Sequence, residues 1–518
     1  MSTEPAGIRE THTGLVVLAG DRAYKVKKAV RTPYCDFGSA ALRRRALARE
    51  LELNRRFAPD VYLGLGSFRS PDGATAEPVL VMRRMPADRS LTAALSCAGP
   101  DECDELVRSV ARAVADAHRR APRGDPGRAG PAALAARWSA NLTELGELTA
   151  DRAVQDRLAP MRTLARDYLA GRTELFGLRE TRVVDGHGDL LADDVYCLDD
   201  GPRLLDCLDF DDDLRQVDVL DDVATLAMDL DHHGMPGAAR ALVDGYRRFT
   251  GDDAPDSLLH HFVAYRAVVR AKVAALRGRQ GAAGAAAEVD ALSALGLRGL
   301  QAGAVRLALV GGPPGSGKTT LAGALAAATG ARLLSSDLIR DDLDRGRPGD
   351  GARPGSGTGG TGTGTGGDGT GGGAVGGGTV RRGTGGYGTG RYTPERVAAV
   401  YTALLDAAGP LLGRGASVVL DASWTTAERR LAARALAARH HAVCVELRCA
   451  VDPRTADARI AARGPSPSDA DAAVAARMRA AAAPWPEAVR IDTAGGPGAA
   501  SGAALSAALS AWSAGVGR

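Results

Sequence analysis

The chain has 518 residues, which is too many for one core, and its 45% hydrophobic and 25% charged content is that of a globular protein of two or three domains. A net charge of +3 gives no electrostatic case for a nucleic-acid or membrane partner, and no apolar run is long enough to span a bilayer. The seven cysteines show no C-x-x-C spacing, and Met1–Pro5 lacks the basic and apolar regions of a signal peptide, so a reducing cytoplasm is the expected location.

In chain order, Thr13 to Val30 alternates as a hairpin should, turning at Gly20-Asp21. Its second arm carries Lys25, Lys27 and Lys28. These are three of only five lysines in a chain with 65 basic residues. A chain that otherwise uses arginine keeps lysine where a compact ammonium is needed, so this cluster predicts a phosphate site. The alternative is a chance cluster on a solvated strand. Arg43 to Phe57 reads as an amphipathic helix with Glu50 and Glu52, and Pro78–Met82 as a strand. A lysine on an early strand and a glutamate on the next helix match the plan of a kinase small lobe, where that ion pair positions nucleotide phosphates. No G-x-G-x-x-G precedes the lysines.

Pro86 to Phe176 is mostly helical. Then come Asp185-Gly186-His187-Gly188-Asp189 and, after a gap, Leu204-Leu205-Asp206-Cys207-Leu208-Asp209. These paired loops resemble those of aminoglycoside phosphotransferases and related small-molecule kinases, and the likeness covers roughly residues 10–280. The resemblance implies a bilobal protein-kinase-like fold. It implies Asp189 as the base that orients the acceptor hydroxyl and Asp206 as a Mg²⁺ ligand. It also implies Lys25 or Lys27 on the phosphates, paired with Glu50, and Asp218 as a structural carboxylate behind the site. The family has Asn as a second metal ligand five residues after the catalytic Asp. Here that position is Asp194, which can still bind Mg²⁺ but alters the charge balance. The remaining histidines have no partners at metal spacing.

Gly281–Ala287 reads as a helix end or a linker, and the stretch to Gly303 is expected to separate this domain (1–295, small lobe about 1–88, large lobe about 89–295) from a second (303–518). There an apolar strand, Val305–Val310, runs into Gly312-Pro313-Pro314-Gly315-Ser316-Gly317-Lys318-Thr319, followed by Thr320 and a helical run. This is G-x-x-x-x-G-K-T in strand–turn–helix context. The glycines let backbone N–H groups face phosphate oxygens, Lys318 reaches the β- and γ-phosphates, and the Thr319 hydroxyl can ligate Mg²⁺. Ala331–Asp337 reads as a strand ending in Asp337, with Arg340 one turn on. That corner resembles the substrate side of gluconate-kinase-like, zeta-toxin-like and polynucleotide-kinase-like P-loop enzymes. The resemblance implies an Asp that accepts a hydroxyl proton and an Arg that steadies phosphate. The alternative is a helix N-cap with a solvated arginine.

Residues 346–390 are about half glycine, interleaved with Thr, a composition expected to be a disordered insertion. Thr393-Pro394 restarts a helix. Ser417–Trp424 reads as a buried strand bearing Asp421 in the position of a Mg²⁺-associated carboxylate. Asp452 opens a helix with Arg459 and Arg463 on one face, where the resemblance implies a phosphate-gripping lid and the alternative is two solvated arginines. Arg490–Thr493 is a last strand, and the alternation predicts a doubly wound parallel α/β domain. The leading expectation is an ATP- and Mg²⁺-dependent phosphotransferase acting on a hydroxyl of a small-molecule acceptor, with two candidate nucleotide sites. The alternatives are a nucleotide-binding regulatory ATPase with an inactive N-terminal domain, and a polynucleotide 5′-hydroxyl kinase, which the net charge does not support.

Overall fold

The computed structural model describes residues 7–10, 14–31, 36–69, 76–346, 392–462, 471–495 and 499–515. The chain divides into two compact units, Met1–Ala304 and Val305–Arg518.

The first unit opens with β1 (Gly7–Glu10), β2 (Gly14–Ala19) and β3 (Arg22–Lys27), then α1 (Ala40–Asn54), β4 (Tyr62–Arg69) and β5 (Ala76–Arg83). The strands form one antiparallel sheet in the order β1-β2-β3-β5-β4. Gly20, with φ of +58°, makes the β2–β3 turn, as the alternation predicts. Ser39 starts α1 by accepting the N–H of Leu42, and the helix buries Leu47 against Val61, Tyr62 and Leu80. Helical structure follows: α2 (Leu91–Cys97), α3 (Pro100–Arg120), α4 (Pro126–Ala129), α5 (Pro131–Leu148), α6 (Arg152–Gly171) and α7 (Thr173–Arg179). Two short antiparallel pairs carry the loops of interest. These are β6 (Val183–Asp185) with β9 (Gln216–Asp218), and β7 (Val195–Leu198) with β8 (Gly201–Leu204). Then come α8 (Val219–His232), α9 (Pro236–Thr250), α10 (Asp256–Arg279) and α11 (Ala285–Gly303). An antiparallel sheet with one packed helix, leading into a helical part that carries short loop-bearing hairpins, is the bilobal kinase-like plan.

One expectation is corrected here. The stretch up to Gly303 is not a separating linker. Helix α11 packs on α10, with Gly296 and Gly299 lying so close to Ala264 and Val268 that an added Cβ would press on them. The small residues of 285–303 serve close helix contact, so the unit ends at Ala304.

The second unit is β10 (Arg306–Gly311), α12 (Lys318–Thr329), β11 (Arg332–Ser335), α13 (Ser336–Asp344), α14 (Pro394–Gly413), β12 (Val418–Asp421), α15 (Ala427–Arg439), β13 (Val443–Ala450), α16 (Pro453–Ala461), α17 (Ala472–Ala480), β14 (Val489–Asp492) and α18 (Ala499–Ala514). Its five strands are all parallel, in the order β11-β12-β10-β13-β14. Central β10 is buried at every position, as a parallel strand covered on both faces must be. Chain order reverses around β10, so its C-terminal end is the crevice where such sheets bind ligands. Thr393 caps α14 through the N–H of Arg396, as its sequence predicts. The expected insertion, apart from Gly346 at the end of α13, and Arg463 lie outside the described residues.

Candidate functional sites

In the first unit, residues two apart on a strand share a face, so β3 sends Lys25 and Lys27 to the same side. Both meet Glu50, which α1 buries completely. Lys25 Nζ lies 2.7 Å from Glu50 Oε1 and 2.7 Å from Asp206 Oδ1. Lys27 Nζ lies 2.9 Å from Glu50 Oε2 and 2.9 Å from Asp209 Oδ2. Burial pushes the Glu50 carboxyl up, but the charges of Lys25 and Lys27 outweigh it and bring it down to about 2. Burial likewise works against the charge of Lys25, and Asp206 and Glu50 reverse that, raising it well above the usual ammonium range. Lys28, one residue out of phase, turns to Glu10 on β1 and leaves the cluster.

Two loops complete the constellation. Asp206 sits at φ +60°, a left-handed conformation that costs a non-glycine residue energy and must be held by its surroundings. Its N–H donates to the Tyr62 hydroxyl at 3.0 Å, and the next N–H, of Cys207, donates to Asn54 Oδ1 at 2.9 Å. The loop of His187-Gly188-Asp189 hangs on one carboxylate. Asp222 accepts the N–H of His187 at 2.6 Å and of Gly188 at 2.8 Å, and His118 Nε2 lies 3.3 Å from it. Burial alone would raise Asp222, but His118 and His187 hold it far below the usual carboxylate range. A Cβ at Gly186 would stand 2.4 Å from Asp222 Oδ2, so only glycine permits this approach. His187 donates from Nε2 to the Leu205 carbonyl at 2.9 Å, which joins the two loops.

Among the described residues the Asp189 carboxylate has a single polar contact, 3.4 Å from Arg270 of α10. Asp194 keeps part of its surface open, but its carboxyl is enclosed. Burial, then the charges of Asp206 and Asp189, push it well above the usual range. The sequence reading brought Lys25, Lys27, Glu50, Asp189, Asp194 and Asp206 forward, and the fold gathers them. It missed Asp222, Tyr62 and Asn54. Asp218, offered as the carboxylate behind the site, is bound instead to Arg179 at 2.8 and 2.5 Å and caps α8. An available signal was the pair Asp221-Asp222, charged residues inside a helix buried from Val219 to Leu230.

In the second unit, β10 ends in a turn whose glycines are required by space and by backbone. Gly312, Gly315 and Gly317 have φ of +150°, +77° and +81°. A Cβ at Gly312 would stand 2.5 Å from Ser316 Oγ, and one at Gly315 would stand 2.4 Å from the Ala456 carbonyl oxygen. Pro314 and Ser316 are buried, Pro313 is partly so, and Lys318 is the first residue of α12, at the positive end of its dipole. Thr320 is exposed. Asp421 ends β12 directly beside Val310. Thr319 hydrogen-bonds it, and Ser335 Oγ donates to its Oδ2 at 3.3 Å. Burial raises the Asp421 carboxyl and Lys318 opposes the rise. Asp421 Oδ1 and Ser316 Oγ are buried with no hydrogen-bond partner among the described residues. A glycine cradle, an ammonium, a hydroxyl and an orphaned carboxylate oxygen fit a phosphate chain and a hard cation. Among the described residues no group of three or more His, Cys, Asp or Glu is arranged to hold a metal by itself.

The acceptor corner differs from expectation. Asp337 is not at a strand end, because β11 stops at Ser335 and Asp337 falls in the first turn of α13. Arg340 holds it at 2.5 Å and lies over the Tyr392 ring. Arg459 donates to the carbonyls of Thr493, Ala494 and Gly495 at 2.8, 3.0 and 3.0 Å, so it ties down the loop after β14. Thr493 in turn donates to the Ser316 carbonyl at 2.6 Å. This brace on the phosphate-loop backbone was not anticipated, since the two residues lie 177 apart in the chain. No helix among the described residues is long and apolar enough to cross a membrane.

Residues 307–485 match the family model described as an AAA domain. Among solved structures, a choline/ethanolamine kinase family protein from Mesorhizobium loti overlaps 57% of this chain and 92% of its own, at 14% identity and a TM-score of 0.35. An aminoglycoside phosphotransferase solved with GDP and kanamycin overlaps 58% of this chain and 94% of its own, at 16% identity and a TM-score of 0.37. No residue role follows from overlaps of that size. The curated relatives are nearer. "Uncharacterized protein Rv2004c" of Mycobacterium tuberculosis is 41% identical over 500 residues, 94% of this chain and 92% of the relative, and a Mycobacterium bovis protein matches equally. The chain belongs to the family of these mycobacterial proteins.

Proposed function

We propose that the first unit transfers a phosphoryl group from ATP to a hydroxyl of a small molecule, and that the second unit binds ATP at Gly312–Thr319. The observation that carries the first part is the position of Lys25, whose ammonium stands 2.7 Å from both Glu50 and Asp206. A buried glutamate aims the lysine at the same carboxylate that the family resemblance makes a metal ligand, which is what phosphate positioning requires. In this reading Asp189 accepts the acceptor's hydroxyl proton as the new oxygen–phosphorus bond forms and the bond to the leaving diphosphate breaks. His187 joins the two loops, and Asp222 fixes the backbone that carries Asp189. Asp206 and Asp194 would hold Mg²⁺, which supplies neutralisation of phosphate charge. In the second unit Lys318 and the N–H groups of the cradle hold phosphates, with Thr319 and Asp421 at the cation side. Asp337 and Arg340 flank that site.

The test is ATP consumption by the full chain across a panel of hydroxyl compounds, with Lys25→Met as the variant. Acceptor-stimulated turnover that falls by about 100-fold or more in Lys25→Met supports the reading. Turnover indifferent to every acceptor and to Lys25 contradicts it. One observation favours a second reading. Asp194 stands where the resemblance expects Asn, and its carboxyl is pushed toward the protonated form. A first unit that binds nucleotide without turnover, regulating the second, would show nucleotide binding that depends on Lys25 and no chemistry that depends on Asp189.

A further inference from the structure

Helix α10 reaches the loop of His187-Gly188-Asp189 with two arginines one turn apart, and they are used differently. Arg266 is buried and fully engaged. It makes a two-pronged pair with Asp221 at 2.7 and 2.8 Å and donates to the Gly188 carbonyl at 2.6 Å. That is the geometry of an arginine fixing a backbone. Arg270 makes one contact, 3.4 Å from Nη1 to Asp189 Oδ2, and keeps 21% of its side chain exposed. A charge-assisted bond normally closes to about 2.7–2.9 Å, and guanidinium has five N–H donors, so nearly all of its capacity is uncommitted among the described residues. The other cations of the site are taken up. Lys25 lies between Glu50 and Asp206, and Lys27 between Glu50 and Asp209. The carboxylate of Asp229 also feels Arg270, but at a distance that makes no hydrogen bond; its Oδ2 accepts the N–H of Ala192 at 2.8 Å and its Oδ1 lies 3.8 Å from His233 Nε2.

We propose that Arg270 makes this site select a hydroxyl acceptor that also carries an anionic group, a phosphate or a carboxylate, and reject cationic acceptors such as amino sugars. The proposal rests on the reading of Asp189 as the group that takes the acceptor proton. An acceptor hydroxyl must come within about 2.6–3.2 Å of that carboxylate, so atoms a few bonds away come within reach of the guanidinium beside it. The planar fork of Arg matches a carboxylate or phosphate in two hydrogen bonds, and a cation in the same place is repelled. Asp193, whose charge like that of Arg270 acts on Asp229, is exposed and screened by water, so it weighs less than a half-buried guanidinium.

The test uses the full chain carrying Lys318→Ala, so that the second site is silent, with product mass as the readout and Asp189→Asn as the control. The probes are glycerol 3-phosphate and glucose 6-phosphate, glycerate and gluconate, glycerol and glucose, and kanamycin. The expected result is Asp189-dependent transfer to a phosphate- or carboxylate-bearing compound. For that compound Arg270→Gln should raise KM by about tenfold or more with kcat within about threefold, and Arg270→Lys should recover part of the loss. Which anionic pair responds tells phosphate from carboxylate. Asp189-dependent transfer that is as good or better with the neutral compounds or kanamycin leaves the phosphotransfer reading standing and overturns the selectivity. An equal fall in kcat for all classes in both Arg270 variants also overturns it, since Arg270 then only positions Asp189. Absence of Asp189-dependent transfer to every class removes the phosphotransfer reading, and the selectivity with it. Should Arg270→Gln melt early, the Arg270→Lys arm and calorimetric binding of the anionic probes decide.

Discussion

The candidate site of the first unit is made of side chains, and that of the second is made of main chain. Around Lys25 and Lys27, both on β3, each ammonium answers carboxylates brought from other elements: Glu50 on α1, and Asp206 and Asp209 on a loop some 180 residues later. Around Lys318 the wall is a single turn whose three glycines adopt backbone that other residues avoid; its Gly312 N–H donates to the Ser423 carbonyl, its Ser316 carbonyl accepts from Thr493, and α16 packs against Gly315. A site of mutual ion pairs is sensitive to pH and to loss of any one partner, because the remaining buried charge is left uncompensated. A backbone cradle has no titratable group of its own but is intolerant of a single added carbon.

This contrast can be broken most forcefully at Asp222. Asp222→Ala leaves two buried N–H groups and His118 without their acceptor, and should destabilise the first unit by about 3–5 kcal/mol. Calorimetry should show one transition moved down and a second, that of 305–518, unmoved. Equal displacement of both would mean that the units do not melt independently. Next is Glu50. Its folded value of about 2 lies below the ordinary 4.5, so its contribution is present above pH 4.5 and is lost as pH falls through about 2. At about 1.4 kcal/mol for each pH unit separating those two values, the contribution is about 3 kcal/mol. Urea midpoints of the wild type and Glu50→Gln should therefore differ at pH 7, the gap narrowing below pH 4.5 and closing only near pH 2, and a gap that widens on acidification would reverse the sign of the argument.

Gly315→Ala probes the other side of the comparison. Its Cβ meets the Ala456 carbonyl at φ +77°, so about 1–3 kcal/mol of strain and the loss of nucleotide binding at the second site are expected, at every pH. Titration with a fluorescent ATP analogue checks this, and undiminished binding would show that the cradle is not used. The smallest effect is expected at Lys28. Its pair with Glu10 is solvent-exposed, so Lys28→Ala should cost less than about 1 kcal/mol and leave nucleotide binding unchanged, despite its place beside Lys25 and Lys27 in sequence.

The same contrast explains what could be read beforehand. The phosphate loop is contiguous, and its strand, turn and helix lie where periodicity and glycine spacing put them. Lys25, Glu50, Asp189 and Asp206 were visible as residue types in plausible order, because a lysine cluster is conspicuous in an arginine-rich chain. The groups that hold them were not. Asp222 was outshone by Asp218 four residues earlier, and only the packing of α8 decides which of the two faces the Gly186–Gly188 backbone. Tyr62 and Asn54 act through one atom each, on a loop some 150 residues away. The Gly281–Gly303 stretch misled because small residues mark both linkers and close helix contacts, and sequence alone does not separate the two. Asp337 misled by two residues, the usual scale of error at a strand end.

The central claim is that Asp189 and Asp206 belong to one phosphotransfer site in the first unit. It is tested by measuring ATP binding and acceptor-stimulated turnover together in full-length Lys318→Ala, alone and with Asp189→Asn or Asp206→Asn. Asp189→Asn should keep nucleotide affinity within about threefold and lower turnover by about 100-fold or more, since only the proton acceptor is lost. Asp206→Asn should lose both, as its carboxylate pairs with Lys25 and, in the proposed reading, would hold the metal on the phosphates. Full turnover in Asp189→Asn, or a loss of binding there equal to that in Asp206→Asn, would contradict the assignment.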